Sequence, residues 1–245
     1  MIEDIKTIVW KEFMELLSKQ GGIKVNIIRL IVSVGVLALY IPFIFGRSFV
    51  ESPYILFLYI VFPIFMMIAM VLDSFAGERE RHTLETLLAS RLSDYAILFG
   101  KILSAVIYGW GTTLFFIILG LLMVNVFFWS GYLLIFPAWM IVLVAISSLL
   151  ADTLVAATGV LISLRTRTVR QGMDILMAGI LAVMVVPFII YYILPYEVKK
   201  QVDVTAMSMG VSNIAIVMIA ILIALNAVIM YIATRQFQRN RLILE

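Results

Sequence analysis

Six stretches of this chain run for about twenty residues with almost no charge, and that constrains its fold more than any other feature. A helix rising 1.5 Å per residue needs about 20 apolar residues to cross a hydrocarbon layer of about 30 Å. The runs place spans at residues 25–46, 54–72, 102–124, 138–162, 175–194 and 213–233. Only 13% of the 245 residues are charged, against roughly one quarter in a soluble domain, so the chain falls in the membrane class. No short apolar run follows a basic start with a small-residue cleavage site, so the first span is expected to do the targeting. Residues 133–164 hold one charge, Asp152, and are long for a single span; an interfacial turn is expected near Pro137. Trp129, Tyr132, Tyr191, Tyr192 and Tyr196 lie where an interfacial aromatic belt would be. Pro63 and Pro187 fall inside spans, as hinges or as fixed bends. With no cysteine there is no disulfide, thiolate metal site or cysteine nucleophile.

Orientation follows from the loop lysines and arginines. With the N-terminus inside, the cytoplasmic set is Lys6, Lys11, Lys19, Lys24, Arg29, Arg79, Arg81, Arg91, Lys101, Arg165, Arg167, Arg170, Arg235, Arg239 and Arg241. The outside keeps only Arg47, Lys199 and Lys200. Both ends are therefore expected in the cytoplasm. Residues 195–212 become an extracellular segment, long enough for a short helix or re-entrant piece. This asymmetry explains the net charge of +3 without a nucleic-acid partner.

Residues 1–22 are too charged to span. Ile2, Ile5, Ile8, Val9, Phe13, Leu16 and Leu17 recur at three- and four-residue steps, with charges between them and Trp10 nearby. That predicts an amphipathic helix in the headgroup plane, ended by Gly21-Gly22.

The stretch FAGERERHTLETLLASRLSDYAILFGK, residues 75–101, concentrates Glu78, Arg79, Glu80, Arg81, Glu85, Arg91 and Asp94. Leu84, Leu87, Leu88, Leu92 and Tyr95 form a stripe at roughly helical spacing. Arg81 with Glu85, and Glu78 with Arg81, can pair along one helix face, each pair contributing only about 0.2–0.5 kcal/mol. Two readings stay open on this pattern: a solvated interfacial helix, or a docking surface with charges for register and leucines for burial.

GERERHTLETLLASRLSDYAILFGK resembles the signature loop of ABC-2 type permeases, the membrane subunits of ATP-driven exporters, in the drug- or sodium-exporter branches. The resemblance rests on Gly77, Glu78, Arg79, Glu80, Thr83, Leu84, Glu85, Leu87, Leu88, Ser93, Gly100 and Lys101. ATGVLISLRTRTVRQGMDILMAGIL, residues 157–181, and VWKEFMELL, residues 9–17, are similar to later and opening elements of that family. The resemblance implies one all-α transmembrane domain over 1–245, in the cell membrane, with 73–101 as the cytoplasmic coupling loop. Gly77, Glu78, Arg79, Glu80, Thr83, Leu84, Glu85, Leu87 and Leu88 would then contact a separate ATPase subunit holding ATP and magnesium. It further implies a second permease chain, identical or paralogous, surrounding lipid, and export of a small or amphipathic cargo. Consistent with this, the chain has no G-x-x-x-x-G-K-[ST] phosphate cradle; the FGKI at 99–102 lacks the first glycine and the final hydroxyl. No enzymatic activity is expected of this chain.

Asp152 is the one acid deep in a span, either a proton or cation contact on an intramembrane polar path, or a hydrogen-bonded structural group, with Ser147 and Ser148 as partners. Asn125, Thr158 and Asn226 carry weaker versions of the same choice. Gly109, Gly111 and Gly120 permit close helix contact, as at a dimer seam. His82, alone in the loop, suits an interface better than a metal. Two other classes remain as alternatives. A gradient-driven secondary transporter would show inverted repeats and broken helices, and no repeat is visible. An intramembrane enzyme would need a histidine or a second acid at membrane depth.

The topology is directly testable in a chain without native thiols. A membrane-impermeant thiol reagent applied to intact cells is expected to label Lys199→Cys and spare His82→Cys, and inside-out vesicles are expected to reverse the pattern.

Overall fold

A computed structural model describes residues 1–18, 22–129 and 131–237, so the Gly21 turn, Lys19, Arg239 and Arg241 lie outside the described residues. The elements run α1 (Ile2–Ser18), α2 (Gly22–Phe45), α3 (Ser48–Glu51), α4 (Pro53–Leu72), a π-helical turn (Asp73–Gly77), α5 (Glu78–Glu80), α6 (Leu84–Leu88), α7 (Asp94–Phe127), α8 (Ala138–Arg165), α9 (Val169–Ile193) and α10 (Tyr196–Gln236). No strand occurs among the described residues. Among the described residues, five helices are long and apolar enough to cross a membrane: α4 with its continuation, α7, α8, α9 and α10.

Three boundaries differ from the sequence reading. One is the start of α9, at Val169 rather than residue 175, where Thr168 caps the helix by accepting from Gln171 N. The third apolar helix begins at Asp94 rather than residue 102, because Ser93 caps it: its Oγ accepts from Ala96 N. The last eight residues of the expected loop are thus helix, and Lys101 is a buried helical side chain, 1% exposed. Residues 196–212 are neither a separate short helix nor a re-entrant piece; they belong to the 41-residue α10. Once a span has nucleated a helix, each added turn costs little, so polar residues such as Lys199 and Gln201 ride on the extension.

The bundle is organised around α8, which packs against α4, α7, α9 and α10. One apolar cluster lies at the end that carries the charged loop and joins Ile8, Val71, Phe75, Leu84, Ile97 and Leu164. A second, at the opposite end, joins Ile41, Phe49, Phe116, Phe136 and Met140. Helix α9 buries only Gly172 and Leu176, so nearly all its apolar surface, Val183 and Phe188 included, faces outward.

The α4–α8 contact depends on a missing side chain. A Cβ at Gly159 would stand 2.3 Å from Val71 Cγ1 and 3.2 Å from Leu176 Cδ2. At Gly111 it would meet nothing within 4 Å. Gly159→Ala is therefore expected to destabilise the protein by about 1–3 kcal/mol through overpacking, while Gly111→Ala is neutral or gains up to about 1 kcal/mol of helix propensity. Unfolding midpoints of the two variants in the same detergent check this.

Candidate functional site

The charged stretch divides into a buried half and an exposed half. The buried half starts at α1. Of the expected headgroup-facing stripe, Ile8 turns inward, 2% exposed, against Gly100 of α7. One helical turn on, Glu12 follows it into the interior. There Lys101 Nζ donates to Glu12 Oε1 at 2.7 Å and to the Ser74 carbonyl at 2.5 Å, and lies 3.1 Å from Glu78 Oε1. It also sits 4.8 Å above the Phe75 ring. Lys11 bonds the same Glu78 oxygen from the solvent side and lies 3.8 Å from both Glu12 and Glu15. Arg81 pairs with Glu15 at 2.6 Å and with Asp73 at 3.1 Å, not with Glu85 four residues on. Partial burial works against the charge on Lys11, but the Glu78 bond and the fields of Glu78, Glu12 and Glu15 outweigh it and hold its pKa above 10.5.

Arg79 and Glu80 tie this base to the helices beyond it. Arg79 donates from Nη1 to the Thr166 carbonyl at 2.6 Å and from Nη2 to the Leu164 carbonyl at 3.0 Å, meeting acceptors left open at the end of α8. Glu80 Oε1 accepts from Val169 N, 2.9 Å away, at the start of α9. Ser163 Oγ accepts from Phe75 N and Ala76 N and donates to the Leu72 carbonyl, serving the irregular backbone of the π turn. Gly77 is buried within that turn, and Thr83 bonds the Glu78 carbonyl through N and Oγ1.

The leucines do not form a free stripe. Leu84 is 7% exposed within the core, and Leu87 and Leu92 pack against it; the side chain of Leu88 lies outside what the structure describes. The exposed face consists of Glu80, Arg81, His82, Thr83, Glu85, Thr86 and Arg91. His82 takes a left-handed conformation, φ 56°, which sets the corner between α5 and α6.

The intramembrane polar residues are not gathered into one path. Asn125 closes the far end of α7, giving Nδ2 to the Leu121 and Leu134 carbonyls and receiving Leu134 N. Thr158 bonds back to Leu154 and Val155 and lines an apolar cavity of about 450 Å³ bounded by α4, α8, α9 and α10. Asn226 Nδ2 bonds the Leu150 carbonyl, while its Oδ1 has no hydrogen-bond partner among the described residues. Asp152 is fully buried, and neither carboxylate oxygen has a hydrogen-bond partner among the described residues. The expected serine partners turn elsewhere: Ser147 bonds Leu143 and Val144, and Ser148 bonds Ala145. A charged Asp at mid-bilayer costs about 2.5–3.5 kcal/mol on insertion scales even before packing. Gly109 lies against Asp152 and Met67, inside the chain rather than at a dimer seam.

Comparison with protein-family models and with curated protein sequences finds no match.

Sequence reasoning missed the partners of the charged loop, Lys11 and Glu12 above all. One signal was available: Glu12 stands four residues after Ile8, on a line otherwise apolar. Removing one member of a buried ion cluster leaves the others uncompensated, which costs about 3–5 kcal/mol. Lys101→Met is expected to lose that much. Lys11→Met is expected to lose less, because the Lys11 side chain is 43% exposed. Its contribution is complete below about pH 10.5 and fades as pH climbs through the raised lysine value, so wild type and Lys11→Met converge in strong alkali. Thermal midpoints across pH measure both effects.

Proposed function

We propose that this chain is the membrane subunit of an ATP-driven exporter, moved by a separate ATPase that grips the exposed face running from Glu80 to Arg91. In this reading α2 is the first of six spans, both ends are cytoplasmic, and the protein sits in the cell membrane. Two such chains and two ATPase subunits form the working unit, and ATP with magnesium is held by the partner.

The observation that carries the reading is the rigid mounting of that face. Its outer side chains are charged and exposed, while its inner side is fixed by Lys101, Glu12 and Glu78 to α1 and α7 and by Arg79 to α8. A merely solvated loop needs no such anchoring. A surface that must transmit force does, because movement of the face is then carried into three helices. The resemblance of residues 77–101 to the coupling loop of ABC-2 type permeases supports the same role. The apolar cavity beside α9 suits a hydrophobic or amphipathic cargo.

A gradient-driven transporter is the second reading, favoured by the unpartnered Asp152. Transport in vesicles with the ion gradient dissipated and ATP held constant separates the two.

Glu85 and Arg91 are exposed and make no side-chain bond among the described residues. The charge reversal Glu85→Lys with Arg91→Glu is therefore expected to leave the thermal midpoint unchanged. It should cut co-purification of a nucleotide-hydrolysing subunit tenfold or more. Recovery of an intact transporter with no such subunit would overturn the reading.

A further inference from the structure

We propose that Asp152 is an intramembrane proton-binding residue, whose carboxyl holds a proton while α7 and α8 stay packed at Gly109 and releases it when that contact opens to water. In the release step the carboxyl O–H bond breaks, the proton passes to a water molecule, and a carboxylate remains on α8. The inference concerns the isolated chain and holds with or without an ATPase partner.

Geometry carries it. Asp152 is fully buried, with both oxygens lacking partners. The hydroxyls on the same stretches of α7 and α8 are turned to backbone carbonyls: Thr112 and Thr113 to Gly109, Ser148 to Ala145, Thr153 to Leu149. No charged side chain among the described residues pairs with the group. Helix α7 presents Gly109, whose chain neighbour Tyr108 is ionisable only in strong alkali, and α4 presents Met67. The polar residue that α10 brings to this stretch of α8 is the neutral Asn226, bonded to the Leu150 carbonyl. The charges Lys101, Arg165 and Arg235 sit more than two helical turns away along their helices, Asp73 is paired with Arg81, and Arg170 and Asp174 are exposed at the start of α9. An ionised carboxylate buried in that setting has neither donor nor counter-charge among the described residues, so the neutral acid is the form this packing accepts.

A metal ion is a poor alternative ligand. Sodium-sized and larger cations gather several oxygens, whereas Asp152 brings one carboxylate. A Cβ placed on Gly109 would already stand 2.9 Å from its Cγ, so the α7 side has no space for an ion and its shell. A proton needs no cavity.

The test uses the full chain in lipid nanodiscs, with aspartate carboxyls carbon-13 labelled. At neutral pH the wild type is expected to show the isotope-shifted infrared stretch of an un-ionised carboxyl, absent from Asp152→Asn. No such band in the wild type, or its survival in the variant, would overturn the assignment. Asparagine is the neutral isostere of the protonated acid, so the variant should fold with a wild-type midpoint; failure to fold at neutral pH also counts against the proposal.

Release is read with Ser148→Cys, a buried position one turn before Asp152, in both backgrounds. A water-soluble thiol reagent reports opening of the α7–α8 contact, and the pH dependence of the thiol itself cancels in the ratio of the two rates. The packed form binds one proton more than the open form, so opening is favoured as pH rises above the ordinary aspartate value of about 4, by up to tenfold per pH unit. The ratio of wild-type to Asp152→Asn rates should climb accordingly. A ratio independent of pH would refute the release step.

Discussion

The structure depends on one ammonium group. Lys101 sits at the base of α7 with almost no solvent exposure, and an unpaired lysine there would be untenable. It is compensated only if three separate pieces of chain arrive together: α1 bringing Glu12, the π turn bringing the Ser74 carbonyl, and α5 bringing Glu78. Ion clusters of this kind add little net stability over an apolar core, but they tolerate few alternative arrangements. Here that selectivity fixes the N-terminal helix in place. Helix α1 is part of the cluster's scaffold and not simply a float at the lipid surface, although Ile2 and Trp10 remain exposed along its outer side.

The same cluster explains why the charged stretch divides into a buried and an exposed half. Its inner residues, Glu78 and Arg79, have partners 67 to 87 positions away in the chain. Of its outer residues, Arg81 still pairs with Glu15 and Asp73 and Glu80 touches Val169 N, whereas Glu85 and Arg91 make no side-chain bond among the described residues.

Much of this was legible in the sequence, and the misses have physical causes. Apolar runs near twenty residues announce membrane helices whatever their neighbours do, hence the close match at α8 and at the far end of α9. The end of a helix depends on weaker forces: α10 continues through Lys199 and Gln201 because extension is easy once a span exists, and α7 starts early because Ser93 caps it. Local ion pairing was the weakest guide. An exposed Arg81–Glu85 pair contributes a few tenths of a kcal/mol, so it yields readily to Glu15 and Asp73 brought in by tertiary packing. The depth of Asp152 could be counted from the sequence, but its lack of a partner could not, since that follows from where α7 and α4 place Gly109 and Met67.

The π turn at Asp73–Gly77 has a mechanical consequence. Because α4 runs through it directly into α5, the span and the ionic base share one continuous backbone rod with no slack linker between them. The wider winding takes up one residue more than an α-turn would, and so swings the following side chains around the axis toward α1 and α8. Torque applied at the outer corner is thus delivered to α4 as axial roll and tilt, in the manner of a crank, instead of dissipating in a flexible joint.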